Sequence, residues 1–206
     1  MTMQENKFIG LDLQTDDPIG FFGKWLADAE AAEPSYANAV TLTTAAKNGR
    51  PSARTVLLRD HGENGFVFYT NFESRKGQEL LENPQAMMLF YWKSLMRQVR
   101  IEGPVTPVDE ATADGYFAGR PRESRIGAWA SFQSQPMDSR DTFEKRLKEF
   151  TEKFEGQDIP RPPHWSGFCL MPDKIEFWNE QQFRLHERIV YSRTKDSWDG
   201  GQLLFP

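Results

Sequence analysis

Strand-like segments separated by turn residues are the feature that most constrains the fold of this chain. Between residues 39 and 108, segments rich in Val, Thr, Leu, Phe and Tyr alternate with turn residues such as Asn48-Gly49 and Asn64-Gly65. The predicted strands of this region are 39–45, 52–58, 66–70, 86–92 and 98–108. Asn-Gly between such segments is typical of hairpins. Parallel strands would need a helix between every two of them, so the spacing predicts an antiparallel barrel.

Helical patterns lie on both sides of these strands. Asp17 is a good N-cap, Pro18 suits the first helical position, and apolar residues recur at helical spacing until Glu33-Pro34. Further helices are predicted at 74–82, 109–118 and 139–154, and three final strands at 165–170, 175–178 and 188–193. No linker divides the chain cleanly. We therefore expect one α+β, mainly β domain over residues 1–206, with 1–16 as a flexible N-terminal arm.

The charge and the cysteine content exclude several classes of protein. A net charge of −5 does not provide the positive field that a nucleic-acid or membrane-surface binder needs. The single cysteine, Cys169, can form neither an internal disulfide nor a cysteine-rich zinc site. No apolar segment approaches the roughly 20 residues of a membrane span, and residues 1–17 lack the apolar core of a signal peptide. We therefore expect a cytoplasmic protein without nucleic-acid or membrane partners.

The motifs of the common catalytic classes are absent from the sequence. There is no GxSxG, no Walker A loop and no GxGxxG. The three histidines, His61, His164 and His186, lack the spacing of metal ligands, so no metal site is expected. Acyl transfer and zinc-dependent hydrolysis are therefore not expected.

Arginines in turn-like places suggest binding of anions. Arg54 and Arg59 begin and end the segment Arg-Thr-Val-Leu-Leu-Arg. In a strand, their odd offset would place them on opposite faces, where they could serve two different anions. Ser74-Arg75-Lys76 lies at a predicted helix start, where free backbone N–H groups also favour an anion.

Similar groups recur further along the chain. Tyr116, Arg120 and Ser124, placed at a helix end and in the loop after it, supply donors suited to phosphate oxygens. The other groups are Arg97 to Arg100, Gln133-Ser134, Glu176 to Trp178 and Arg184 to Arg188. Each residue taken singly is more often a surface pair or part of the core. Taken together, they indicate a phosphorylated planar ligand, or two of them.

Seven segments of the chain carry a resemblance to a known family. They are RTVLLR (54–59), FYTNFESRKG (68–77), RQVRIEGPV (97–105), YFAGRPRESRIGAW (116–129), QS (133–134), IEFW (175–178) and RLHER (184–188). With these segments, the chain resembles the pyridoxamine (pyridoxine) 5′-phosphate oxidase family from Asp17 to Pro206. The resemblance implies an antiparallel split β-barrel with flanking helices, an FMN-binding split barrel. It also implies a homodimer with FMN at the subunit interface.

The resemblance further implies an activity and the residues that carry it. Members oxidise pyridoxamine or pyridoxine 5′-phosphate to pyridoxal 5′-phosphate, with O2 as the acceptor and H2O2 as the second product. The implied FMN contacts are Arg54, Thr55, Val56, Leu57, Leu58, Arg59, Tyr69, Thr70, Arg75, Lys76, Gln98, Gln133, Ser134, Trp178 and Arg188. The implied substrate contacts are Arg59, Tyr116, Arg120, Ser124, Arg184 and His186, of which Arg184 and His186 are the catalytic pair.

Three other functions remain open on the sequence. A related FMN split-barrel oxidase, of the phenazine-biosynthesis type, would share the flavin segments but lose much of the substrate-phosphate set. A non-catalytic flavin or pyridoxal-phosphate carrier would bind its ligand without turnover. A plain barrel interaction module would purify colourless.

Overall fold

The computed structural model describes residues 13–195 and 197–206. In this part of the chain, the strands join into one antiparallel sheet that curls on itself. The strands are β1 (Ala39–Ala45), β2 (Pro51–Leu57), β3 (Asp60–Gly62), β4 (Gly65–Asn71), β5 (Gln85–Trp92), β6 (Arg97–Pro107), β7 (Trp165–Leu170), β8 (Lys174–Asn179), β9 (Glu187–Ser192) and β10 (Gln202–Leu204). The α-helices are α1 (Pro18–Ala32), α2 (Arg75–Glu82), α3 (Glu110–Ala118), α4 (Arg122–Ala130) and α5 (Arg140–Lys153).

The long strand β6 is the point at which the sheet divides. One edge of β6 pairs with β5 along most of its length. The other edge pairs with β8 over Arg97 to Glu102 and with β7 over Val105 to Pro107. One branch continues through β7 and β4, and the other through β8, β9 and β10. Because one strand feeds two branches, the result is an open, split barrel rather than a flat sheet.

An aromatic core fills the barrel and fixes α1 against it. Phe22 of α1 is fully buried, and its ring lies 5.1 Å from the rings of both Phe66 and Phe90. Trp25, one turn along, packs edge-on against Phe177 of β8 at 5.2 Å. Offset and edge-to-face pairs of this kind add to the stabilisation from buried area alone.

A smaller apolar cluster lies outside the barrel, under α3, α4 and α5. Its buried members are Phe117, Ile126, Phe154, Ile159 and Trp165. This cluster holds the three helices beside β7, and the side chains at its margin face the cavity described below.

The predicted elements agree closely with the observed ones. The antiparallel, mainly β fold with flanking helices is confirmed, and the predicted strand and helix ends lie within one residue of the observed ends. The sequence analysis missed α4, β3 and β10. Helix α4 follows Pro121, which provides no side-chain cap, so its start carries no N-cap signal. Ser124 therefore lies in a helix, and its placement in a loop was wrong. Strands of three residues are too short to show a period.

Part of the predicted N-terminal arm lies in the described chain. The Tyr191 hydroxyl donates a hydrogen bond to the Leu13 carbonyl and accepts one from the Thr15 amide at 3.0 Å. These contacts tie the residues before α1 to β9. Residues 1–12, the remainder of the arm, lie outside the described residues. Across the parts that are described, no helix has the length and apolar character that a membrane span requires.

Two glycines differ in the space that a Cβ atom would have. A Cβ at Gly103, in β6, would lie 2.0 Å from the Met171 carbonyl oxygen, whereas one at Gly115, in α3, would meet open space. We expect Gly103→Ala to lower the free energy of unfolding by about 1–3 kcal/mol because backbone must move. Gly115→Ala should raise it by about 0.5–1 kcal/mol. Urea titrations of both variants measure the difference, and equal stabilities would contradict the close packing at β6.

Candidate functional site

A cavity of about 530 Å³ opens beside β2 and β4. Its lining residues are Arg54, Thr55, Val56, Leu57, Arg59, Tyr69, Thr70, Asn71, Lys76, Tyr116, Arg120, Ser124, Gly127, Ala128, Ser131, Gln133 and Trp165. Four of these side chains are cationic, and none of the described residues in the lining is acidic. A cavity with this charge is suited to an anionic ligand.

Arg54 enters the cavity from β2 and is held from behind by a buried carboxylate. Its terminal nitrogens donate to the hydroxyls of Thr44 and Ser52, and Glu79 lies 3.4 Å away. Burial alone would raise the pKa of Glu79, but hydrogen bonds from Ser52, Thr44 and Arg75 outweigh it and lower the pKa to about 2. Glu79 is therefore ionised, and its charge holds the Arg54 guanidinium in place.

Lys76 is a partly buried cation at the start of α2. Its ammonium group lies 3.1 Å from the Thr70 hydroxyl, 3.2 Å from that of Ser74 and 2.9 Å from the Gln133 amide oxygen, all neutral groups. Burial, with a smaller contribution from the Arg54 charge, lowers the pKa of Lys76 to about 8. Ser74 caps the helix by accepting a hydrogen bond from the Gly77 amide. Within the described residues, the Lys76 ammonium therefore has only neutral partners, and its charge faces the cavity without a counter-ion.

The other end of the cavity is built on stacked aromatic rings. Tyr69 and Tyr116 lie parallel with centroids 3.8 Å apart, and Trp165 lies parallel to Tyr69 at 5.3 Å. The Arg120 guanidinium packs over the Trp165 ring at 4.7 Å. Its Nη1 is buried and has no hydrogen-bond partner within the described chain. Burial lowers the pKa of Arg120. A buried donor of this kind is costly unless a ligand satisfies it.

Arg54 and Arg59 line the same cavity, which corrects the expectation that they face opposite sides of a strand. The offset rule holds only within a strand, and β2 ends at Leu57, two residues before Arg59. The Arg59 amide donates to the Val67 carbonyl of β4 at 2.8 Å, and its guanidinium lies 5.9 Å from the Tyr116 ring. Leu58, between them, is buried in the core and does not line the cavity.

A second group of the expected site residues lies on the other branch of the sheet. Gln98, Trp178 and Arg188 are directly paired neighbours on β6, β8 and β9. The His186 ring packs on Trp178 with centroids 4.6 Å apart. Arg188 Nε donates a hydrogen bond to buried Glu176 Oε1 at 2.9 Å, and Arg188 Nη2 forms an ion pair with the same oxygen at 2.8 Å. This group, which we call the Trp178 cluster, does not line the cavity of its own chain.

Three further expected residues also lie outside that cavity. Arg184 is exposed and has a positive φ of 64°, directly after Phe183 with φ of 57°. Two successive left-handed residues that are not glycine are strained, and such strain is concentrated at functional sites. Arg75 is exposed and pairs with the buried carboxylate of Glu79, four residues further along α2. Ser134 lines an adjoining cavity of about 670 Å³ that shares Gln133 and Ser131 with the first.

Several residues of the site were not found from the sequence. Glu79 lies four residues after Arg75, and this spacing predicts an ion pair within one helix. It does not predict the contact of Glu79 with Arg54. Thr44 and Trp165 carry no local signal because their partners in the site are distant in sequence. Ser52 lies two residues before Arg54, but its bond to Glu79 spans 27 positions.

Two family models match the chain. The model described as pyridoxamine 5′-phosphate oxidase matches residues 26–154. The model described as the pyridoxine 5′-phosphate oxidase C-terminal dimerisation region matches residues 165–205. The second match contains Trp178, Arg184, His186 and Arg188.

Relatives with the same printed name cover most of the chain. A pyridoxine/pyridoxamine 5′-phosphate oxidase of Sphingopyxis alaskensis is 58% identical over 189 residues, which are 92% of this chain and 88% of the relative. Another, of Gluconobacter oxydans, is 54% identical over 189 residues, which are 92% of this chain and 94% of the relative.

Solved structures extend the comparison. PhzG of Burkholderia lata, solved in complex with tetrahydrophenazine-1-carboxylic acid, has a TM-score of 0.87 at 33% identity and covers 93% of this chain and 94% of its own. An FMN-binding protein of Nostoc punctiforme has the same fold, with a TM-score of 0.71 at 19% identity over 91% of this chain and 96% of its own. On the two family models and the 54–58% identity, this chain belongs to the pyridoxamine 5′-phosphate oxidase family.

Proposed function

We propose that this protein is an FMN-dependent oxidase that converts pyridoxamine or pyridoxine 5′-phosphate to pyridoxal 5′-phosphate. O2 is the acceptor and is reduced to H2O2, and with pyridoxamine 5′-phosphate water is consumed and ammonia is released. The observation that carries the proposal is the cavity, which has cations at both ends and a buried Arg120 nitrogen without a partner in the described chain. Relatives at 54–58% identity bear the name of this activity.

The Lys76 end of the cavity suits the phosphate of FMN. Lys76 and Arg54 supply the charge, and the start of α2 adds backbone N–H groups. The neutral partners of Lys76 leave its charge available to a ligand. The proposed FMN contacts in the cavity are Arg54, Thr55, Val56, Leu57, Arg59, Tyr69, Thr70, Lys76 and Gln133. When bound, FMN supplies the two-electron acceptor for the hydride from C4′ of the substrate.

The Arg120 end suits the phosphate of the substrate. Arg120, Tyr116, Ser124 and Arg59 converge there and provide guanidinium and hydroxyl donors. The protein holds the substrate by this phosphate and so orients its reacting carbon. We assign Arg184 to stabilising charge near that carbon and His186 to orienting the pyridine ring.

The Trp178 cluster and Arg184 can line the Arg54–Arg120 cavity only if that cavity is formed by two chains. They fall in the segment that matches a dimerisation region, and they do not line the cavity of their own chain. We therefore propose a homodimer in which FMN binds at the interface, so that each cavity receives Trp178, Arg184, His186 and Arg188 from the partner subunit. The exposed and strained Phe183-Arg184 turn is consistent with a contact made by a second chain.

An oxidase of the phenazine type is the second candidate. The observation that favours it is the match to PhzG of Burkholderia lata, with a TM-score of 0.87. That protein is 33% identical, against 54–58% for the relatives named above. Tyr116, Arg120 and Ser124, which converge on one end of the cavity, favour a phosphorylated substrate.

One experiment separates these functions. The purified protein is examined for a flavin spectrum, and pyridoxine 5′-phosphate is then added in air. We expect equal amounts of H2O2 and pyridoxal 5′-phosphate. Flavin without turnover of either B6 phosphate would contradict the substrate assignment, and failure to bind added FMN would contradict the cofactor assignment.

The lowered pKa of Lys76 predicts how FMN affinity depends on pH. A dianionic phosphate favours the ammonium form of Lys76, whose pKa is about 8 in the free protein. The affinity for FMN should therefore be constant between about pH 7 and pH 8. Above this pKa, free Lys76 is neutral and must take up a proton, so the Kd should rise by up to about tenfold per pH unit. Flavin fluorescence titrations measure this profile.

Two controls accompany that titration. Lys76→Met should bind FMN more weakly at pH 7 and lose the rise above pH 8. Riboflavin, which lacks the phosphate, should show no rise with the parent protein. The same slope with riboflavin would place the titrating group elsewhere.

A further inference from the structure

Arg161 lies outside the cavity, but it forms hydrogen bonds to α3 and β7, the two elements at the Arg120 end of the cavity. Its Nε donates to Asp114 Oδ1 at 2.6 Å, and its Nη2 donates to the Glu110 carboxylate. Both acids lie one turn apart on α3. Its Nη1 donates to the Trp165 carbonyl at 2.7 Å, at the first residue of β7. All three nitrogens of the guanidinium therefore donate hydrogen bonds, two to α3 and one to β7.

The burial of Arg161 distinguishes it from a surface ion pair. Its side chain is 9% exposed, whereas the side chains of Glu110 and Asp114 are 82% and 62% exposed. Exposed pairs of long side chains contribute little because they give up side-chain freedom in water. The Arg161 side chain is already fixed by its burial and by its hydrogen bond to the Trp165 carbonyl. Its bonds to Glu110 and Asp114 therefore hold α3 at a defined position relative to β7.

The segment that carries Arg161 is itself restrained. Residues 159–163 read Ile-Pro-Arg-Pro-Pro, in which the prolines fix their own φ angles. The Trp129 indole of α4 donates to the Pro160 carbonyl at 2.8 Å, and Ile159 is buried in the cluster under the helices. The connector is therefore a rigid support for the guanidinium.

The two elements that Arg161 joins carry the groups at the Arg120 end. Helix α3 carries Tyr116 and also Phe117, whose ring lies 5.0 Å from the Trp165 ring. The Arg120 guanidinium packs over Trp165 at 4.7 Å and over Phe117 at 5.6 Å. The buried Nη1 of Arg120 has no hydrogen-bond partner among the residues that the structure describes, so these two rings define the position of the guanidinium. A shift of α3 relative to β7 would move Arg120 and Tyr116 together.

We propose that Arg161 is a positioning residue for the anion-binding end of the cavity, acting through α3 and Trp165 on Tyr116 and Arg120. The identity of the anion as the substrate phosphate rests on the proposed function. FMN binding at the Lys76 end does not depend on this contact, because Arg54 and Lys76 lie on β2 and α2.

The test compares Arg161→Gln with the double variant Glu110→Ala/Asp114→Ala in FMN-loaded protein. Both break the link between α3 and β7, so both should raise the KM for pyridoxine 5′-phosphate by about tenfold while kcat changes less than about twofold. The Kd of FMN should stay within about twofold of the parent value. Arg161→Lys, which keeps the charge but lacks the planar fork, should restore only part of the loss.

The double variant separates positioning from a simple effect of charge. Arg161→Gln leaves two carboxylates unpaired, which would by itself weaken binding of an anion, whereas the double variant removes both negative charges and would by itself strengthen it. A lower KM in the double variant would overturn the proposal. So would a fall in melting temperature without a change in KM. Glu110 and Asp114 are exposed, so their variant keeps the test available if Arg161→Gln does not fold.

A second readout is independent of turnover. Inorganic phosphate is titrated calorimetrically into the FMN-loaded parent and variants, and its Kd should rise by the same factor as the KM. If the parent binds phosphate but does not oxidise pyridoxine 5′-phosphate, the substrate assignment fails and the Kd ratio still tests Arg161. Equal Kd values in the parent and both variants would overturn the proposal. Arg140→Gln, which removes an exposed pair with Glu144 on α5, is the matched control.

Discussion

Replacing Arg120 with methionine should lower kcat/KM for pyridoxine 5′-phosphate by about a thousandfold. Arg120 is the cation at its end of the cavity whose Nη1 is buried and has no partner in the described part of the chain. Each hydrogen bond between ionised groups contributes about 1.5–3 kcal/mol, and a guanidinium can make two to one phosphate. The loss of about 4 kcal/mol corresponds to the expected factor.

Most of this loss should appear in KM, with a smaller part in kcat, because a substrate held loosely by its phosphate also presents its reacting carbon poorly. Steady-state production of H2O2 over a range of substrate concentrations measures both constants. Flavin content should not change, since the proposed FMN phosphate contacts, Arg54 and Lys76, lie on other elements.

Arg140→Met is the matched control, because Arg140 is 75% exposed and pairs with Glu144 on α5. It should leave both kinetic constants and the flavin content at their parental values. If Arg120→Met kept kcat/KM within about threefold of the parent, Arg120 would not be a phosphate ligand, and the charge of the cavity would need another explanation.

The fold was predictable because its signals are local. Asp17, Ser74, Asp109 and Ser139 each cap the helix that follows them, and their side chains accept the expected backbone hydrogen bonds. Helix α4 lacks such a residue and was missed. A capping side chain at the start of a helix is a signal that sequence shows directly, and α4 does not have one.

The site was predictable in part, and the remainder depended on long-range contacts. The motif residues at both ends of the cavity could be identified, but the offset rule for Arg54 and Arg59 failed where the strand ended. Glu79 approaches Arg54 across 25 positions in sequence, and Arg161 reaches Glu110 across 51. No period or spacing within one segment encodes contacts of that kind, since the sheet topology alone brings them together.

Arg184→Ala should lower kcat by about a hundredfold while flavin content stays unchanged, because a preorganised cation near the reacting carbon contributes on this scale. Within one chain, Arg184 is exposed and does not line the cavity. A large effect is therefore expected only if the residue serves the cavity of the partner subunit. Single-turnover reduction of the bound flavin, measured without oxygen, isolates this step.

Mixed dimers distinguish a shared cavity from one built by a single chain. In a heterodimer of Arg120→Met and Arg184→Ala chains, a shared arrangement puts both substitutions in one cavity and leaves the other intact. Chains carrying two different affinity tags are co-expressed and purified through both tags. At substrate concentrations well below the parental KM, we expect about half the parental activity, although each homodimer keeps about one hundredth of it or less.

Doubly tagged homodimers of each variant are the controls for that recovery. If both arginines served a cavity within their own chain, every cavity of the heterodimer would carry one substitution, and activity would stay near that of the homodimers. The size of the recovery therefore reports where Arg184 acts. Because restoration from about one hundredth to about one half is far outside the scatter of a peroxide assay, this result decides whether Arg184 completes the site of the partner subunit.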